Sequence, residues 1–241
     1  MAAQRAPRRS SAPAARRARS STLPPSRRAG YHHGALPRAL LDAALVLLEQ
    51  HGESGFTLRS AAREAGVSPG APYHHFEDRD ALLAALAAEG FLLLSAALDA
   101  ASAPTDEPPR GEEPRAPRRS AREEAEELGL AYVRFAVERP VLFRLMMGRV
   151  TRRALSEGDV GRVARGAFER LRDAVLRAAR ERAPGAAPAP EEIPLAWSVV
   201  HGLAFLAMDG HLGGEPARFE DLAPMVRRTL RLVGDGRGPP E

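Results

Sequence analysis

The chain has no cysteine, which excludes a disulfide framework and thiolate-held metals. It has no lysine either, so all 35 basic residues are arginine. The planar arginine fork suits phosphate, but a GC-rich coding sequence explains the same bias. Long apolar runs are scarce. Residues 40–48 are interrupted by Asp42 and 91–98 are short, so no run reaches the ~18 residues of a membrane span. No region has the h-region of a secretory signal. The motifs G-x-S-x-G, H-E-x-x-H, a Walker loop and a phosphate-binding G-x-G-x-x-G are all missing, and His201 and Asp209 stand too far apart on one helix to couple. Catalysis, bound metal and cofactors are therefore not expected. The apolar share of 44% is enough for a real core, and a cytoplasmic protein with no membrane partner is expected.

Charge is unevenly placed. Residues 1–29 hold eight arginines and no acid. Residues 1–30 read as a disordered arm. A DNA-gripping arm, an inert tail or miscalled start, and a transit peptide all fit it. After it, apolar residues recur at helical spacing: 36–50, 58–65, 69–75, 79–101, 121–138, 140–148, 159–182, 193–212 and 218–233. No β-period alternation persists. The expected fold is all-α. A three-helix head at 34–94 precedes a Pro-rich linker at 102–120, a helical domain at 121–234 and a disordered tail at 235–241.

The most informative stretch is 57–76. Thr57 suits a helix N-cap, and Leu58, Ala61, Ala62 and Ala65 share one apolar face. Gly66 can close that helix in the left-handed conformation, Val67 turns inward, and Ser68 can cap a new helix opening on Pro69. This is the punctuation of a helix-turn-helix, whose second helix enters a DNA major groove. The small first turn, Ser68-Pro69-Gly70-Ala71, allows close approach to phosphate. Tyr73, His74 and His75 then offer donors. Pro72 removes the first intrahelical N–H bond and crowds the Ser68 carbonyl, which distorts the helix at its start. The pair His74–His75 points in two directions and does not suit a metal. His32–His33 reads either as an arm contact or as plain solvated residues.

The run of Thr57, Arg59, Ala61, Ala62, Ala65, Gly66, Val67, Ser68, Gly70, Tyr73, His75, Phe76, Arg79, Leu82 and Leu83, with YHHGALPRALLDAAL before it, resembles the TetR family of transcriptional regulators across about residues 31–94. The resemblance implies phosphate contacts at Tyr73 and His75, a base or phosphate contact at Arg59, and a backbone contact at Arg79. Together the expected DNA-binding residues are Thr57, Arg59, Ser68, Pro69, Gly70, Ala71, Tyr73, His74, His75 and Arg79.

It also implies a C-terminal domain that binds a small ligand and dimerises. Trp197, His201 and Gly202 resemble the Trp-His-Gly motif of one subgroup, with Gly202 permitting close helix approach. Phe135, Leu142, Phe143, Met146, Met147, Trp197 and His201 are the expected ligand-lining residues, since methionine and aromatics suit an adaptable apolar pocket. Ordinary bundle core, with His201 hydrogen-bonded to a neighbour, is the competing reading. A two-fold dimer through 193–212 and 218–233 would space two recognition helices by about one DNA turn, ~34 Å. The function expected is a homodimeric repressor that binds a palindromic duplex operator under control of a small effector. The alternative is a nonspecific or architectural DNA-binding protein without a ligand switch.

Overall fold

The computed structural model describes residues 35–103, 119–154, 158–212 and 218–234. The expected N-terminal arm, His32–His33, most of the linker and the C-terminal tail lie outside the described residues. Within them the chain is helical and has no strand. The α-helices are α1 (Ala35–His51), α2 (Leu58–Glu64), α3 (Arg79–Ser102), α4 (Ala121–Glu138), α5 (Pro140–Met147), α6 (Arg149–Ala154), α7 (Gly158–Arg182), α8 (Glu192–Met208) and α9 (Phe219–Gly234).

Local chemistry sets the helix starts. Thr57 and Ser60 form a capping box on α2, with the Ser60 N–H donating to Thr57 Oγ1 at 3.0 Å and the Thr57 N–H to Ser60 Oγ at 2.9 Å. Such a cap stabilises a helix by about 1 kcal/mol. Asp78 starts α3 by accepting from the Ala81 N–H at 2.7 Å. Ser120 and Glu123 repeat the box on α4. The helix α6 was not expected. Its sequence, RVTRRA, has too few apolar positions to show a period; the buried Thr151 anchors it by donating to the Leu145 carbonyl at 2.7 Å.

The helix α3 belongs to both halves of the molecule. It packs against α1 at the head and against α4, α5, α6 and α7 in the body. One buried cluster therefore runs from Leu36 of α1, through Leu82, Leu94 and Leu98 of α3, to Ala204 of α8. A smaller cluster joins α4, α8 and α9 through Val133, Leu203, Phe219 and Val226. By length and composition α3 is apolar enough to cross a membrane, against the expectation that no stretch qualifies. Its one acid in the middle, Glu89, is met by Arg38 of α1. Its buried residues, among them Leu82, Leu94 and Leu98, place one side of it in the core, while Leu92 and Leu93 on another side are exposed.

Candidate nucleic-acid interface and ligand cavity

The turn after α2 is built by Gly66. Its φ of +68° places it in the left-handed region. The Gly66 N–H donates to the Arg63 carbonyl at 3.1 Å and the Val67 N–H to the Ala62 carbonyl at 2.9 Å. This is the paired closure of a Schellman motif, and it folds Val67 back onto the core.

The second helix of the motif is shorter than expected. In place of a helix over 69–75 the structure has one 3-10 turn, Ala71–His74. Proline is the cause. Pro72 has no N–H to give the Ser68 carbonyl, and the chain bonds mainly at i to i+3: Ala71 N–H to the Ser68 carbonyl at 3.0 Å, Tyr73 to Gly70 at 3.3 Å and His75 to Pro72 at 2.9 Å, before Phe76 bonds to Pro72 at i to i+4. Ser68 makes no side-chain cap; Gly70 takes the N-cap position without one. The N–H groups of Ser68 and Gly70 stand outside the turn's own bonds. Pro72 itself is buried beneath the turn and Phe76 packs against the core.

The expected contact residues divide into two groups. Arg59, Ser68, Pro69, Gly70, Tyr73, His74 and His75 are exposed, Tyr73 at 53%, and Ala71 is half-buried behind them. Thr57 is also exposed, but its hydroxyl is engaged in the α2 cap. Arg79 is engaged most of all. Its Nη2 donates to the Glu53 carbonyl at 2.7 Å and its Nε to the Phe56 carbonyl at 3.2 Å. Its Nη1 meets Asp80 at 3.1 Å, and the guanidinium lies 5.7 Å from the Phe56 ring centre. Arg79 braces α3 against the segment before α2. Arg63 was missed. It is exposed on α2 one turn from Arg59, and neither has an ion pair among the described residues. Their i, i+4 spacing was the signal.

In the body, Phe143, Trp197 and His201 of the residues expected to line a ligand site join a packed aromatic cluster. Trp197 stacks on His201 with ring centres 5.5 Å apart, and His201 meets Phe205 at 4.9 Å. Tyr132 contacts Phe143 at 5.4 Å and Trp197 at 5.7 Å, edge to face. Such pairs add ~0.5–1.5 kcal/mol each beyond area burial. Phe135, Leu142, Phe143 and Met146 are buried, and Met147 packs against them. Tyr132, absent from the expected set, is its centre: its hydroxyl lies 2.9 Å from His201 Nδ1. Burial lowers the His201 pKa and raises that of Tyr132, so a neutral imidazole and a protonated hydroxyl share this hydrogen bond. A Cβ added at Gly202 would meet nothing within 4 Å beyond its own helix among the described residues. Asp209 pairs with Arg144.

The open space lies to one side of this cluster. A cavity of about 310 Å³ sits between α4, α7, α8 and α9. Leu128, Leu171, Val175, Ile193, Val200 and Leu230 supply much of its wall, and of the seven expected residues only Trp197 reaches it. Phe135 instead borders a groove between α3, α4 and α9, rimmed by Arg134, Glu138, Arg139 and Arg227.

A capped helix, a tight turn and an exposed second element, carried on a larger helical body, define a helix-turn-helix protein. Comparison with known proteins resolves the class. Residues 40–86 match a family profile described as bacterial regulatory proteins, tetR family, and residues 125–233 match one described as tetracyclin repressor-like, C-terminal domain. The chain belongs to the TetR family. A solved structure from Rhodococcus sp. RHA1, of a protein with unknown function, is 34% identical, covers 87% of this chain and 98% of its own, and has a TM-score of 0.63. A segment of 46 residues, 19% of this chain, is 48% identical to the HTH-type transcriptional regulator BetI of Paraburkholderia phymatum. Another of 58 residues, 24% of this chain, is 41% identical to an HTH-type transcriptional repressor of Mycobacterium tuberculosis. These matches span 24% and 31% of the length of those two curated relatives.

Proposed function

We propose that the chain is a homodimeric transcriptional repressor that binds a palindromic DNA operator and whose grip is modulated by a small molecule in the C-terminal body. The observation that carries the DNA half is the exposed surface on which Arg59, Arg63, Tyr73, His74 and His75 stand with no ion pair among the described residues. Arginine and imidazole donors suit phosphate and base edges, while Thr57 and Arg79 hold the elements that present them. Pro69, Gly70 and Ala71 bring no side-chain donors. They let the backbone approach the duplex, and base preference then falls to Arg59, His74 and DNA shape.

Support for the dimer comes from α8 and α9. Leu195 and Leu206 on α8 are 50% and 44% exposed, and Leu232 on α9 is 45% exposed. Gly202 lies between the two α8 leucines on the same face, with open space beside it. An apolar face with a glycine gap suits a second copy packed closely. A ligand acts on such a regulator only by binding its DNA-competent and DNA-incompetent states unequally.

Selection of bound duplexes from a random pool tests the reading. The expected result is enrichment of one palindrome, with Arg59→Ala and Tyr73→Ala each weakening binding several-fold. Equal affinity for all duplexes at moderate salt, or no effect of either substitution, would overturn it.

A further inference from the structure

We infer that the cavity between α4, α7, α8 and α9 is a binding site for a neutral, predominantly apolar small molecule. The inference rests on the regulator reading above, from which it takes only that an effector exists. At about 310 Å³ the cavity stands at the lower end of the ~300–1,000 Å³ of small-molecule sites.

The chemistry of its rim selects the ligand. Charged side chains surround the mouth, but each is already engaged. Arg182 pairs with Glu192 and donates to the Gly234 carbonyl at 3.1 Å, tying α7 to α8 and α9. Glu126 lies between Arg231, at 2.9 Å, and Arg122, at 3.3 Å. Glu181 accepts from the Ala121 N–H at 2.7 Å, and Arg172 pairs with Asp173 at 3.0 Å. An ionic ligand would have to break one of these pairs or enter an apolar space uncompensated. A neutral one need do neither. The Trp197 indole, at the wall, makes no hydrogen bond among the described residues and is not sealed from solvent. Its N–H is a donor available to a carbonyl, ether or hydroxyl oxygen.

The position of the cavity supplies a route for the signal. At its wall Leu230 of α9 packs against α4 at Gly129, where a Cβ would come within 2.8 Å of Leu230 Cδ1. Ala196 and Val199 of α8 and Val233 of α9 complete that side. A ligand seated there contacts both helices that carry the exposed leucines, so occupancy bears directly on the α8–α9 face. Leu195, at both the cavity rim and that face, makes a second copy of the chain the competing occupant.

Trp197 is the chain's only tryptophan, so its emission reports on this wall. The experiment titrates the full-length protein with the neutral probe N-phenyl-1-naphthylamine and with its anionic relative 1-anilinonaphthalene-8-sulfonate, reading energy transfer from Trp197. Expected are saturable transfer to the neutral probe at one site per chain and binding at least ten-fold weaker for the anion. A loss of at least ten-fold is expected in the cavity-filling variants Ala178→Phe and Ala196→Leu, each checked for unchanged thermal unfolding. Undiminished transfer in whichever variant folds, or equal affinity for the anion, overturns the proposal. So does probe binding that appears only on dilution below the dimer concentration, which would assign the cavity to the second copy. Duplex binding is measured on the same samples. No saturable transfer in protein that binds duplex overturns the cavity alone, while protein that binds no duplex overturns the regulator reading.

Discussion

Arg63 and Arg79 are both arginines of the reading head, and the structure assigns them different work. The Arg63 guanidinium is exposed and has no ion pair among the described residues, whereas Arg79 is 33% exposed and holds the Glu53 and Phe56 carbonyls and Asp80. If Arg63 meets one phosphate per protomer, Arg63→Ala removes two phosphate contacts from a dimer, and the slope of log affinity against log salt becomes shallower by about 1.8. Between about 50 and 200 mM salt that amounts to roughly ten-fold less loss of affinity than the parent shows. Thermal unfolding should not move. Arg79→Ala loses two charge-assisted bonds to carbonyls, worth roughly 1–3 kcal/mol in all once partial exposure is discounted. For a chain of this size that lowers the melting temperature by about 2–10 °C. Anisotropy of a labelled duplex across the salt series, beside thermal denaturation, separates the two. An unchanged slope for Arg63→Ala would refute the surface assignment. A changed slope for Arg79→Ala with unchanged melting would refute the brace.

Gly66→Val should destabilise by about 1–2 kcal/mol or more in chemical denaturation, because a β-branched residue resists the left-handed conformation at φ +68°. Gly129→Ala should leave stability within about 1 kcal/mol, since the helix-propensity gain offsets the displacement of Leu230, yet weaken binding of the neutral probe as Leu230 swings into the cavity. Burial depresses the His201 pKa, so the unfolded chain binds the extra proton first as pH falls. Stability should hold above pH ~6.5 and decline below it, by less than the one-proton ceiling of about 1.4 kcal/mol per pH unit because the ring is half-exposed. His201→Gln should flatten that decline in denaturation measured from pH 8 to pH 5, in steps of about half a unit.

Most helices were legible because their signals are local. The Thr57 cap and the Gly66 closure each depend on residues within one turn, and each appears in the structure. The recognition element was misjudged in length for a reason also written in the sequence: Pro72 denies the i to i+4 bond to the Ser68 carbonyl, and a 3-10 turn is what remains. The body was less legible. Met146, Phe143 and Trp197 suit a pocket or a core equally well on a helical wheel, and only the packing of α4 against α5 and α8 decides between them. Tyr132 was invisible for the same reason, since its partner His201 lies 69 residues away. Arg79 illustrates a third kind of gap. Its bond to the carbonyl of a residue 26 positions upstream could not be read from the sequence, because only the fold brings the two together.

The continuity of α3 connects the two functions. A reading head on a flexible tether could respond to a ligand only through a change in the body's own dimer geometry. Here the same helix packs against α1 in the head and against α7 in the body, and α7 supplies Leu171 and Val175 to the cavity wall. The α3–α7 seam is pinned by Arg170, which donates to both carboxylate oxygens of Asp99 at 2.6 and 3.2 Å. Close packing is completed where Met146 and Leu142 of α5 lie against Gly90, leaving no room for a Cβ. Seams of this kind shift between discrete arrangements rather than deform smoothly, because packed interiors leave few voids to absorb strain. If a ligand in the cavity displaced α7, α3 would carry that displacement to the base of the head, where Arg79 couples the first turn of α3 to the segment before α2. Arg79, bonded to the Glu53 and Phe56 carbonyls, is thus the link through which the body would reorient Arg59, Arg63 and Tyr73.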